Sequence, residues 1–354
     1  MPPVPLRRTS ALVLPLVLAA GLAGCARRAA GPAPYVEVVP DEATGNVEVR
    51  IDGQPFTSYI HPASAKKPTL FPLRTADGKV VTRGYPLEPR PGERTDHPHQ
   101  IGLWLNYGNV NGVDFWGNSD ERAPEDVPHL GTVEHRKIRG VESGPGEGVL
   151  EVTDEWVDHY GKPLLREETR YVFRAHPDLR GVDRITKLTA LDTAVTFHDT
   201  KEGMLGLRVA RSLEQSSTEP VKLVEQDGSI TTVPAADTAG ITGRYRSSEG
   251  LHGDSVWGTR ARWTALDGRV DGESVTIAIL DNPKNPGFPT YWHARGYGLF
   301  AANPLGWNDF TNGKQQLELH LEPGESTTFR YRILILTGSD PTSRIESEYR
   351  DFVR

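Results

Sequence analysis

The stretch "EETRYVF", residues 167–173, alternates: Glu167, Thr169, Tyr171 and Phe173 share one side, and Glu168, Arg170 and Val172 share the other. Successive side chains of a strand point to opposite faces, so this pattern predicts a strand with two unlike faces. The same alternation appears in "NVEVRI" (46–51), in "LEVTDEW" (150–156), and at Phe329, Tyr331, Ile333 and Ile335. Between such runs lie turn residues, drawn from 36 Gly and 28 Pro in 354 residues. Short alternating strands joined by turns predict an all-β protein, which we read as a large antiparallel β-sandwich. Helical spacing is confined to 341–353. There Asp340 can cap, Pro341 fits the first turn, and Ile345, Tyr349 and Phe352 share a face. This predicts one short C-terminal helix packed on the sandwich. Residues 212–250 are polar and predict a long loop or a peripheral hairpin.

The N-terminal region reads differently. Arg7 and Arg8 precede an apolar run from about Ala11 to Gly24, which ends in Leu22-Ala23-Gly24-Cys25. A short apolar run closed by small residues and a cysteine predicts a lipoprotein signal peptide over 1–25, with Cys25 as the lipidation site. Cys25 is also the only cysteine of the chain, so the fold must rest on core burial rather than disulfides. Residues 26–34, "ARRAAGPAP", read as a flexible tether, and 35–354 as a single domain. The expected location is the cell envelope, with the chain exported and held by lipid. A net charge of −7 argues against a nucleic-acid partner. No later run of 18 apolar residues predicts a membrane-spanning helix.

Rare side chains cluster in "RTDHPHQIGLWLNYGNVNGVDFWG", residues 94–117, although the chain has only 11 His and 7 Trp. In an extended "DHPHQ", His97 and His99 would point the same way, with Pro98 stiffening the pair. Two parallel imidazoles suit a divalent metal ion, an anion or a polyol, but a metal needs further ligands. A second cluster, "FHDTKEGMLGLRVA" (197–210), puts Lys201 and Glu202 before a strand carrying Arg208. Glu202 could serve as a general base, and an arginine in an apolar strand needs a carboxylate or an anionic ligand. A third, "NPGFPTYWHARGYGLFAANPLG" (285–306), holds Trp292, His293, Arg295 and Asn303, and "WGTRARW" (257–263) adds Trp257. Aromatic faces stack on sugar rings, and His, Arg and Asn bind hydroxyls. No nucleophile elbow, phosphate-binding loop, dinucleotide fingerprint or HExxH motif is present.

In order along the chain, "DHPHQIGLW" from 96, "NVNGVDFW" from 109, "DTKEG" from 199, "WGTRARW" from 257 and "PTYWHARGYGLFAANPLG" from 289 resemble a family carried under the label methane oxygenase PmoA. Where that family's pattern has a further histidine and an arginine after His-Pro-His, this chain has Gln100 and Ile101. The resemblance implies a fold similar to galactose-mutarotase-like sandwiches. The label names an integral membrane subunit, whereas this chain reads as all-β after Cys25, so we take the label as a name and not as an activity.

Three functions follow as expectations. The first is a carbohydrate-active enzyme of epimerase, lyase or hydrolase type. Its catalytic groups would be His97, His99, Glu202 and His293, and its substrate contacts Trp104, Arg208, Trp257, Trp292, Arg295 and Asn303. The second is a metal-dependent oxidase or oxygenase with His97, His99 and His293 as ligands and Glu202 as a candidate fourth. The third is a non-catalytic glycan-binding lipoprotein.

Overall fold

The computed structural model describes residues 1–5, 32–216, 219–234, 240–338 and 341–354. Cys25, the segment 26–31 and Asp340, to which roles are assigned above, lie outside the described residues. The strand containing "EETRYVF" runs over Pro163–His176 and sits inside an eight-stranded antiparallel sheet. Across that sheet the order is Arg244–Ser247, Trp263–Val270, Glu273–Asp281, Ser326–Thr337, Leu179–Ala190, Pro163–His176, Glu147–Val157 and Thr132–Glu142. Glu167, Thr169, Tyr171 and Phe173 are all buried. Opposite them on the outer side, Glu168 pairs with Arg139 and Lys187, and Arg170 with Glu151. Exposed pairs of that kind contribute less than about 1 kcal/mol each, whereas each fully buried apolar side chain contributes about 1.5–3 kcal/mol. The inner face therefore sets the register.

The facing sheet has nine strands in the order Tyr291–Ala294, Leu299–Asn303, Leu205–Arg208, Leu103–Leu105, Thr69–Leu70, Gln54–Ile60, Val47–Ile51, Tyr35–Pro40 and Gly144–Pro145. Its inner side chains, among them Leu103, Leu205, Trp292 and Phe300, join Tyr171, Phe173, Tyr331 and Ile333 in one hydrophobic core. This is the antiparallel sandwich expected from the alternation.

The helix Pro341–Phe352 lies where expected. Ile345 and Tyr349 are buried against Leu280, Leu334 and Leu336 on the outer side of the eight-stranded sheet, and Phe352 packs beside them. The polar region 212–250 divides. Val221–Val224 and Ile230–Val233 form a separate two-stranded hairpin, and Arg244–Ser247 adds an edge strand to the larger sheet. Among the described residues no helix is long and apolar enough to cross a membrane.

Candidate active site

Period-two alternation places the site. Trp292, Phe300, Leu205 and Leu105 fill the inter-sheet core, so their chain neighbours point to the other side of the nine-stranded sheet. Register aligns four of those neighbours in one row across adjacent strands: His293 opposite Ala301, Ala301 opposite Gly206, and Gly206 opposite Trp104. A Cβ at Gly206 would come within 2.4 Å of the Trp104 ring, so glycine lets the indole lie across that strand. Trp104 packs on Trp116, with Leu299, Ala301 and Tyr297 alongside. Beside this packed layer opens a cavity of about 410 Å³, whose walls include His97, His99, Asp114, Glu202, His293 and Arg295. Trp116, Gly117, Tyr297, Arg122 and Lys201 complete it.

The loop carrying His97 and His99 is a turn, not the extended segment expected from sequence. Gln100 N–H donates to the His97 carbonyl, and His97 has φ +48°. A non-glycine residue at positive φ costs free energy and needs surrounding structure to hold it. Arg83 supplies that hold. Its buried guanidinium donates to the carbonyls of Arg94, Asp96, His97 and Gln100. Consequently the two imidazoles are not parallel. They meet edge to face at 5.7 Å, and His97 stacks on Tyr297 at 4.8 Å with an interplanar angle of 5°.

Asp96 organises the charges beneath. Its Oδ2 accepts from His97 Nδ1 at 2.6 Å, and its Oδ1 accepts from Arg208 at 2.7 Å and Arg83 at 3.4 Å. Burial pushes its carboxyl up, but the His97 ring, Arg208 and Arg83 together hold it well below the usual carboxylate range. Because a carboxylate only accepts, His97 must donate from Nδ1, which leaves Nε2 for chemistry. His293 is fixed in the same tautomer. Its Nδ1 donates to the Lys201 carbonyl at 3.1 Å, and burial brings the ring down to about 4. His99 is also pushed well below its ordinary value, by burial and then by the charge of Lys67. Burial brings Lys67 itself down to about 7, against the opposing charge of Asp114. Asp114 is pushed up by burial, opposed by the Gly117 N–H and Arg122. Glu202 lies 3.3 Å from Lys201 Nζ, at a partly exposed position.

Of the expected site residues, the cavity brings together His97, His99, Glu202, His293 and Arg295. The other five take different places. Trp292 is wholly inside the inter-sheet core, its Nε1 donating to the Ala261 carbonyl. Asn303 is buried, donating to the Thr200 carbonyl and accepting from Leu305 N–H. Trp104 has no exposed surface, and neither has Arg208, which holds Asp96 and Gln100 from below. The expectation that these four touch substrate is corrected: none has surface to offer. Trp257 faces a neighbouring cavity.

The metal expectation is corrected as well. Among the described residues no three His, Cys, Asp or Glu side chains group so as to hold a metal ion. The His97 and His99 rings also sit edge to face rather than side by side. This donor set does not fit a three-histidine centre.

Sequence reading missed Asp96, Asp114, Trp116, Lys67 and Arg83. The first three sit inside the unusual stretch 94–117, and the density of that stretch was their signal. Lys67 and Arg83 had none.

The fold and this site define a large antiparallel β-sandwich protein with a polar, aromatic-walled pocket on the outer side of one sheet. The chain belongs to the Family of unknown function (DUF6807), matched over residues 46–350. Comparison with curated proteins gives no match. Among solved structures the chain is similar to the GH36 alpha-galactosidase AgaB from Geobacillus stearothermophilus, at 12% identity and TM-score 0.39, over 86% of this chain and 41% of that one. It is similar to the heparan sulfate lyase HepC from Pedobacter heparinus, at 9% identity and TM-score 0.27, over 88% and 36%. A putative aldose 1-epimerase from Escherichia coli K12 matches at 11% identity and TM-score 0.30, over 86% and 98%. The chain thus spans less than half the length of the first two. At these scores the likenesses carry no argument about residues or reactions.

Proposed function

We propose that the pocket binds a carbohydrate and performs acid–base chemistry on its ring. The supporting observation is one cavity holding a carboxylate (Glu202), a carboxylate-oriented imidazole (His97 on Asp96) and a buried neutral imidazole (His293), walled by Trp116 and Tyr297. Glu202 removes a proton from the substrate. His97, entering the step as the imidazolium with Nδ1–H on Asp96, returns one from Nε2 and is left neutral. His293 accepts a hydrogen bond from a sugar hydroxyl at Nε2, because its ring stays neutral near pH 7. Asp114 adds a second carboxyl whose burial favours the protonated form. Arg208, Arg83 and Gln100 act from below, holding the His97 loop rather than the sugar. The position where this chain departs from the resembling family's histidine, Gln100, is buried and accepts from Arg208 at 2.6 Å. The departure therefore falls on loop support.

One observation favours a binding-only reading: the Lys201–Glu202 contact could be the whole role of Glu202. The Glu202→Gln variant separates the two. With wild-type protein screened against sugars and glycosides by NMR, the enzyme reading expects binding retained and turnover lost. Unchanged behaviour in both assigns Glu202 to structure.

Lipid attachment at Cys25 is a separate proposal. Metabolic labelling with a palmitate analogue should mark the wild-type chain and not Cys25→Ser. Label retained in that variant would refute it.

A further inference from the structure

Beyond Arg295 lies a second cavity of about 470 Å³, whose walls include Arg94, Asp254, Trp257 and Gly296. It shares Arg295 and Tyr297 with the candidate active site. The two cavities are therefore neighbours across one ridge. That ridge is built from stacked π systems. The Arg295 guanidinium lies 5.5 Å from the Trp257 ring and 5.8 Å from the Tyr297 ring, while Tyr297 stacks on His97. The turn bearing Arg295 is closed by hydrogen bonds between Arg295 N–H and the Leu299 carbonyl, and between Gly298 N–H and the Arg295 carbonyl.

Charge singles out Arg295. Most arginines around the site have carboxylate partners: Arg94 pairs with Glu214, Arg122 with Asp126, and Arg208 and Arg83 with Asp96. Among the described residues no carboxylate forms an ion pair with Arg295. A guanidinium held between two rings keeps its in-plane N–H groups available, and their fork matches a carboxylate or a sulfate. In the first cavity Arg122, Lys201 and Arg295 face Asp114 and Glu202, but Arg122 is paired with Asp126 and Lys201 with Glu202. The second cavity sets Asp254 and Glu219 beside Arg94 and Arg295, with Arg94 paired to Glu214. Of these cations, Arg295 is the one without a carboxylate ion pair among the described residues, so an anionic group entering between the cavities would meet it first.

We propose that the two cavities are consecutive sugar subsites, and that the ligand is an acidic glycan of at least two rings whose carboxylate or sulfate is read by Arg295. Trp257 then offers its face to the ring in the second subsite. This inference rests on the carbohydrate reading of the first cavity and extends it to ligand length and charge.

The test is binding of the purified full-length chain to an array of paired oligosaccharides, one to six rings long, either bearing uronate or sulfate groups or neutral. Retention is expected only for acidic ligands of two or more rings. Arg295→Ala should weaken it at least tenfold, with Arg295→Lys partly restoring it. Trp257→Ala should weaken acidic ligands of two or more rings about three- to tenfold. Equal retention of neutral ligands, or single rings bound as tightly as longer ones, would overturn the inference. In that case Glu202→Gln still tests the acid–base reading independently. Retention of no sugar would overturn both.

Discussion

Two networks in which buried arginines hold a carboxylate lie on either side of the nine-stranded sheet, and they end differently. In the inter-sheet core Glu167 accepts from Arg184 and Thr169 on one oxygen and from Trp156 on the other. Every partner is itself buried, so the network closes on the protein. On the outer side Asp96 accepts from buried Arg208 and Arg83, but its second oxygen holds His97, whose side chain is 40% exposed at a cavity. The first arrangement can serve only the fold. The second carries buried charge to a group that a ligand can reach. Buried polar chemistry is thus not itself a mark of a site; where the network opens is the mark.

Breaking the closed network should have the largest effect. Glu167→Ala leaves Arg184 buried without its bonded carboxylate, and we expect a loss of about 3–5 kcal/mol in urea denaturation. Activity per folded molecule should not change. A stability loss below 1 kcal/mol would show that the core network is dispensable.

Titration sharpens the comparison on the site side. His293 is brought down to about 4 in the folded chain, against about 6.5 unfolded. Between these values the unfolded chain binds the proton and the folded chain does not, so stability falls as pH drops through that window. The loss is roughly 3 kcal/mol. His293→Gln should flatten the decline between pH 6.5 and 4 in denaturation curves; an unchanged slope would mean that the ring is not buried neutral.

Opening the second network should affect chemistry more than stability. Asp96→Asn removes the carboxylate that fixes the His97 tautomer. Turnover on a bound glycan should fall on the order of 10²-fold while glycan affinity stays within about threefold, and the pH profile of turnover should move. Asp96 is a positioning residue, and a loss of binding equal to the loss of turnover would make it merely structural. The smallest expected effect is none at all. Chelation should leave glycan retention and turnover unchanged, because the three histidines do not form a ligand set; sensitivity to chelator would restore the metal reading.

The sequence carried the sandwich because alternation is local. Glu167 to Phe173 report their own faces, and Ile345 and Tyr349 report the helix. It also carried the cavity's main groups, because unusual residues gathered in recognisable stretches. It misjudged Trp292 and Trp104 for a reason rooted in the sheet. Both faces of the strands Tyr291–Ala294 and Leu103–Leu105 are covered, so an aromatic residue gives no sign of which side it fills. The turn at His97 was illegible because Arg83, from another part of the chain, dictates it through four carbonyls. Long-range clamps of that kind leave no periodicity to read.

Acid–base chemistry in the pocket is tested most directly by turnover and affinity, side by side, for wild type and Glu202→Gln on a glycan retained by the array. Turnover reduced at least about 10²-fold with affinity preserved is the predicted result. Equal turnover in the two proteins, or binding without turnover in either, would contradict the claim that this pocket performs acid–base chemistry on a sugar.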